Sequence, residues 1–182
     1  KSFGIPGRND QQQIILYFFG GMAIGQLFYG PLSDRYGRKP LLLTGLLIYL
    51  AAAITAVSAG DFNTLLWARF VQGFGGAAGR ILVTAIVRDM LSGRPMARMM
   101  SIVMTVFVAV PMFAPAVGQG IAALGSWRTI FYFLIAVCLI VIAWSSARLP
   151  ESRKTAPRAP VTYGQAFAAV LASRTTVGYT IA

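Results

Sequence analysis

Charged side chains are scarce in this chain, and the few present limit the chemistry open to it. Five carboxylates, Asp10, Asp34, Asp61, Asp89 and Glu151, stand against sixteen lysines and arginines, and there is no histidine. The commonest general base, proton shuttle and metal ligand is therefore missing. A single cysteine, Cys138, lies in an apolar run, which excludes a disulfide framework, a zinc cluster and a two-cysteine redox centre. It reads as a small packing residue. With no paired buried carboxylates, no reactive-cysteine setting and no cofactor loop, the residues argue against an enzyme, and neither a metal nor a cofactor is expected. Ion pairing is the chemistry that remains. Its densest cluster is Gly30-Pro31-Leu32-Ser33-Asp34-Arg35-Tyr36-Gly37-Arg38-Lys39-Pro40. Here Asp34 can meet a helix N-terminus or a guanidinium, Gly30 lets another helix approach the backbone closely, and Gly37 permits a tight reversal.

The elements that must hold these residues follow from composition. Of 182 residues 57% are hydrophobic and only 12% charged, about half the charged share of a soluble domain. The chain therefore belongs in a lipid bilayer. The net charge of +11 does not indicate nucleic acid, because apolar stretches too long for a DNA-binding face separate the basic residues. A hydrocarbon core of about 30 Å needs roughly 20 mostly apolar helical residues. Five stretches meet that length: Gln12 to Leu32, Pro40 to Ala59, Asp61 to Val87, Met99 to Ala123 and Trp127 to Ala147. Asp34 to Lys39, Gly60-Asp61, Arg88 to Arg98 and Gly125-Ser126 break them, and the second and fourth breaks are short enough to require antiparallel hairpins. Glu151 to Thr162 reads as a linker and Tyr163 to Ser173 as an amphipathic surface helix.

The basic residues orient the spans. Arg35, Arg38, Lys39, Arg88, Arg94, Arg98, Arg148, Arg153, Lys154, Arg158 and Arg174 fall on one side, and only Lys1, Arg8 and Arg128 on the other. The richer side is cytoplasmic. Lys1 then lies outside, so an odd number of spans, most simply one, is expected ahead of it, and the apolar run from Val177 to Ala182 is expected to open another.

Polar residues inside the spans are the remaining candidates. Arg69 and Arg80 are eleven residues apart on the third span, about three turns and within about 20° of one face, a face shared by Gln72, Gly73 and Gly76. An arginine in the membrane costs at least about 2.5 kcal/mol on insertion scales, so both should face protein or a wet cavity, unless they snorkel to an interface. Gly73 to Gly76 is not a phosphate loop, because it lies mid-helix and no Lys-Ser/Thr follows. Pro111 and Pro115, one turn apart on the fourth span, remove backbone hydrogen bonds and should bend it, with Gly118 following. Gly21 and Gly25 form a small-residue face for close helix packing. Gln26 is a candidate substrate contact, and Met104 and Phe107 supply flexible or aromatic apolar surface for a cavity or for packing. Every carboxylate lies at a helix end or in a loop.

The run from Gly30 to Pro40 resembles the signature loop between the second and third helices of the major facilitator superfamily. Leu65-xxx-Arg69-xx-Gln72-Gly73-Phe74-Gly75-Gly76-Ala77 is similar to that superfamily's fourth-helix motif. Val110-Pro111 through Ala114-Pro115 to Gly118-Gln119-Gly120 looks like a worn form of its fifth-helix antiporter motif, with Ala114 and Gln119 replacing glycines. The wording from Gly25 to Pro40, with Arg88-Asp89 and Ala114-Pro115, is most similar to the bicyclomycin-resistance (Bcr/CflA) drug-efflux subfamily.

The resemblance implies an all-α integral membrane bundle. Residues 1–148 would form most of an N-terminal six-helix bundle lacking its first helix, 149–174 a cytoplasmic linker and 175–182 the start of a seventh helix. It further implies a monomer of the bacterial inner membrane that exports drugs in exchange for protons, with lipid, small-molecule substrate and protons as its partners. Gly30, Asp34, Arg35, Gly37 and Arg38 would latch the two halves in the outward-facing state, with Asp89 as a partner for the basic residues of the loop. Two other readings stay open: an importer in which Arg69 or Arg80 binds an anionic solute, and a membrane scaffold that transports nothing.

Overall fold

The computed structural model describes residues 8–123 and 128–149. The linker, the surface helix and the start of a seventh helix expected after Leu149 lie outside the described residues, as does the Gly125-Ser126 break. Five helices follow one another: α1 (Arg8–Tyr36), α2 (Arg38–Ser58), α3 (Phe62–Met90), α4 (Gly93–Ala123) and α5 (Arg128–Arg148). Each is long and apolar enough to cross a membrane, as five hydrophobic runs of this length require where backbone polar groups can only be satisfied within the segment.

Two boundaries differ from the sequence expectation in an informative way. The break expected at Asp34 to Lys39 shrinks to one residue. Asp34 and Arg35 close the last turn of α1, Arg38 opens α2, and Gly37 alone is non-helical, at φ 99° and ψ 158°. That backbone region is essentially closed to side chains. The fourth helix starts at Gly93 rather than Met99, so most of the polar segment expected as a loop is helical. Pro95 does not prevent this, because a first helical turn needs no intrahelical partner for its N–H groups.

α3 is the centre of the assembly, with α1 and α2 packed along it, α5 packed on α2, and α4 touching the others only lightly. Small residues make the central crossings. A Cβ on Gly21 of α1 would overlap the carbonyl oxygen of Phe70 on α3, and a Cβ on Gly73 of α3 would overlap that of Phe18 on α1. On the other side of α3, a Cβ on Gly75 would come within 2.6 Å of the Tyr49 nitrogen and 2.7 Å of the Gly45 carbonyl oxygen on α2. Lipid supplies no hydrophobic drive between helices, so association rests on this close van der Waals contact. Tyr29, Leu41, Leu42, Ala77, Ala78, Leu82 and Ile86 fill the half of the core toward the Gly37 end, and Ala56, Ala59, Leu65 and Ala68 the other half.

α5 is fastened to α2 at three heights. Lys39 Nζ donates to the Ser146 carbonyl at 2.9 Å, and Cys138 Sγ lies 3.5 Å from the Leu46 carbonyl. At the opposite end Arg128 donates from Nε to the Val57 carbonyl at 3.0 Å and from Nη2 to that of Ala59 at 3.4 Å. These carbonyls end α2 and have no intrahelical partner, so a residue read as an outer-side charge is also a cap for a neighbouring helix.

Asp61 is the N-cap of α3, accepting from the Thr64 N–H at 2.8 Å and from the Thr64 hydroxyl at 2.7 Å. These bonds favour the ionised form and hold its carboxyl below the ordinary value of 3.8. The capping contribution is therefore fully present above the ordinary carboxylate range and is lost as pH falls through the lowered folded value. In the full-length protein the Asp61 carboxyl carbon should titrate with a midpoint below 3.8, and Asp61→Asn should abolish the accompanying acid fraying of the first turn seen by hydrogen exchange. A midpoint at or above the ordinary value contradicts the cap.

Candidate functional site

Arg38 is the hub of the first site. Its Nη2 lies 2.8 Å from Asp34 Oδ1, one turn back across the Gly37 reversal, and its Nε donates to Asp89 Oδ2 at 2.9 Å on the last turn of α3. Nη1 reaches Ser33 Oγ, and that hydroxyl donates to the Gly30 carbonyl at 2.7 Å. One guanidinium thus ties the ends of α1 and α3 to the start of α2. The two carboxylates are not equivalent. Side-chain exposure is 14% for Arg38, 23% for Asp89 and 65% for Asp34, so the Asp89 arm is screened less by water and is the stronger one. Gly37 is buried, and its N–H donates to the Ser33 carbonyl at 3.1 Å, which sets Arg38 at the correct angle to reach back. Arg35 is exposed, with its guanidinium over the Tyr36 ring. Gly30 is not a close-approach point among the described residues, since a Cβ there would meet open space.

The second site surrounds Arg69. Its Nη1 donates to Gln72 Oε1 at 2.8 Å, and its guanidinium carbon lies 4.7 Å from the Phe18 ring centre on α1 and 5.7 Å from that of Phe131 on α5. Tyr49 of α2 stands beside both Arg69 and Gln72. Aromatic faces are among the few surroundings that accept a guanidinium away from water. Gln72 is fully buried. Two donors, Arg69 Nε and Gln72 Nε2, are enclosed with no hydrogen-bond partner among the described residues. Arg80, expected on the same stripe, is in a different setting: it is exposed and lies 5.7 Å above the Phe107 ring of α4.

The other candidates are more dispersed. α4 continues as one helix through Pro111 and Pro115. Both prolines are exposed, and a Cβ on Gly118 would meet open space among the described residues. Gln26 is half-buried on α1, Met104 is exposed and Phe107 half-buried on α4. Two open grooves, of about 400 and 590 Å³, are lined by other residues: the first by α2 and α3 between Ala51 and Val71, the second by the start of α1 from Gln12 to Phe19. Gln26, Met104 and Phe107 line neither.

Sequence reasoning passed over Ser33, Phe18, Tyr49 and Phe131. Ser33 carried a signal, a small hydroxyl in the last turn of a helix beside the acidic residue. The three aromatic partners of Arg69 carried none, because each comes from a different helix.

The profile of the Major Facilitator Superfamily matches residues 2–179, nearly the whole chain. The chain belongs to that superfamily. Among its relatives are the bicyclomycin resistance protein homolog of Haemophilus influenzae, 38% identical over 153 residues that cover 82% of this chain and 38% of the relative. The multidrug resistance protein MdtL of Shewanella oneidensis is 35% identical over 152 residues, covering 82% and 38%. Multidrug resistance protein D of Escherichia coli is 32% identical over 137 residues, covering 75% and 35%. The chain spans about two fifths of the length of these curated relatives. The five helices long and apolar enough to cross a membrane are in keeping with that membership.

Proposed function

We propose that this chain is most of the N-terminal bundle of a monomeric multidrug exporter of the bacterial inner membrane, which moves small amphipathic molecules outward in exchange for protons by alternating access. Residues 1–148 make up the bundle, 149–174 the linker to the second half and 175–182 the start of the seventh helix. The observation that carries the reading is Arg38 shared between Asp34 and Asp89, in a chain whose relatives are named as bicyclomycin and multidrug resistance proteins. A cation held by two carboxylates from different helices fixes the shape of the loop between α1 and α2, which would then be presented to the second half of the transporter. Rocking of that half against this bundle about a midplane cavity would make contacts with the loop in one state and break them in the other. Pro111, Pro115 and Gly118 give α4 the weakened backbone on which such movement would draw.

The test is proton movement. In inside-out vesicles holding the full-length protein, amphenicol-, bicyclomycin- or sulfonamide-type compounds should dissipate an imposed proton gradient, and Asp89→Asn should weaken the response more than Asp34→Asn. Correctly inserted protein that responds to none of the panel contradicts export.

A second reading rests on Arg69. Its free Nε and the neighbouring Gln72 Nε2 are enclosed donors without acceptors among the described residues, an arrangement suited to an anionic solute. Import of such a solute would show as saturable uptake that competing carboxylates inhibit.

A further inference from the structure

Arg38 reaches toward α1 and α3, and the next residue of α2 reaches the other way. Lys39 is half-buried, and its Nζ donates at 2.9 Å to the Ser146 carbonyl in the last turn of α5, 107 positions away in the chain. The final carbonyls of a helix have no donor within it and carry the negative end of its dipole, so a cation that donates to one of them is favoured on both counts. α5 does not supply that cation itself. The basic side chain of its own last turn, Arg148, has its guanidinium over the Trp144 ring, 5.9 Å from the centroid. A charge that counts toward membrane topology is therefore also the cap of a neighbouring helix.

The residue that follows α5 is held at the same place. The Leu149 N–H donates to the Ser145 carbonyl at 3.1 Å, and its half-buried side chain packs against the core cluster that contains Leu41 and Leu42, which follow closely on Arg38 and Lys39. A polar and an apolar contact thus fix the exit of α5 beside the start of α2. The far end returns the arrangement, since Arg128, the first residue of α5, donates to the Val57 and Ala59 carbonyls that end α2. Each helix of this antiparallel pair carries in its first turn the cation that caps the other. Coupling travels through hydrogen-bonded and packed elements of this kind. A first turn that grips α1 and α3 with one side chain and α5 with the next cannot shift against one of them alone.

We infer that Lys39 is a positioning residue that registers the exit of α5 against the loop held by Arg38, so that the loop and the chain leaving α5 are set together by two consecutive residues of α2. The inference rests on the proposed function, in which the loop is presented to the second half of the transporter and the chain beyond Leu149 leads to that half. Arg38 then governs the contact between the halves that can be broken, and Lys39 ties to it the covalent connection that cannot.

The test uses the full-length protein and two readouts: hydrogen exchange of the amides of residues 147–149, and maleimide labelling, from the cytoplasmic side, of Gln26→Cys in a Cys138→Ser background. Lys39→Met removes the cap and the charge. It should speed exchange at the α5 exit on the order of fivefold, the upper worth of a cation at an exposed helix C-terminus, and should speed labelling in the direction expected of Arg38→Gln. Lys39→Arg keeps charge and donors and should leave both rates near those of the unaltered protein. Arg38→Gln should itself speed exchange at the α5 exit, and the double variant with Lys39→Met should show less than the product of the two single effects. Arg94→Met removes one cytoplasmic charge from α4 and should move neither readout. Equal acceleration of exchange by Arg94→Met and Lys39→Met overturns the inference, because charge alone is then at work. Faster exchange in Lys39→Met with unaltered labelling also overturns it, reducing Lys39 to a helix cap. In that case the latch still stands if Arg38→Gln speeds labelling, whereas Arg38→Gln protein that labels at the unaltered rate fails the latch itself and the coupling with it.

Discussion

Gly73→Ala and Gly21→Ala, each a single added methyl group, are expected to destabilise the protein more than any other change of that size. At both positions the new carbon falls on a backbone carbonyl oxygen of the facing helix, Phe18 for Gly73 and Phe70 for Gly21. A clash with the end of a flexible side chain can be relieved by a rotamer change, whereas a clash with backbone can be relieved only by moving a helix. Forcing α1 and α3 apart weakens contacts along their whole crossing, and in lipid no hydrophobic term compensates. The expected loss is at the upper end of the overpacking range, about 3 kcal/mol for each substitution. Because both changes act on one crossing, the second should add less once the first has separated the helices. Gly118→Ala and Gly30→Ala serve as controls, since their added methyl groups meet open space among the described residues. Reversible unfolding of the full-length protein in mixed micelles gives the comparison. Equal stabilities for Gly73→Ala and Gly118→Ala would refute the interlock.

The second large effect is expected at Arg38. Arg38→Gln leaves two carboxylates without their shared cation, and the loss should come mainly from Asp89, which is 23% exposed, rather than from Asp34 at 65%. An exposed ion pair is worth at most about 1 kcal/mol. A hydrogen bond to a charged, partly buried partner is worth about 1.5–3 kcal/mol. A change of about 2 kcal/mol in favour of the state without the latch shifts the balance between the two states roughly thirtyfold. The shift is readable as faster maleimide labelling, from the cytoplasmic side, of a cysteine placed by Gln26→Cys in a Cys138→Ser background. Asp89→Asn should reproduce most of the acceleration and Asp34→Asn a smaller part. Folded Arg38→Gln protein that labels at the unaltered rate would show that the cluster has no gating role, leaving its charges to set topology alone.

The geometry also separates two roles that a glycine-rich membrane sequence leaves mixed together. Gly21, Gly73 and Gly75 serve helix contact, where the absence of a side chain brings two backbones together. Gly37 serves direction. Its backbone conformation turns the chain within one residue, so that Arg38 faces Asp34 across the turn and Asp89 across the helix interface.

Much of this protein can be read from its residues alone, for a physical reason. A helix in a bilayer satisfies its backbone within itself, so hydropathy and length suffice to place five spans, and the distribution of arginine and lysine orients them. That Asp34 could meet a helix N-terminus or a guanidinium is legible too, and the structure supplies Arg38, four residues on across the turn. What could not be read concerns groups distant in the chain. That it is Arg38, among the loop's basic residues, that meets Asp89 fifty-one positions away, that Gly21 and Gly73 each seat against the other's helix, that Phe18 and Phe131 enclose Arg69, and that Arg128 caps α2 all depend on how the helices cross. Crossing angle and rotation are set by the summed packing of many small contacts, and no local pattern of residues encodes that sum. The same limit explains α4: its sequence shows a span with two prolines, and only the assembled bundle shows that almost nothing among the described residues packs against it.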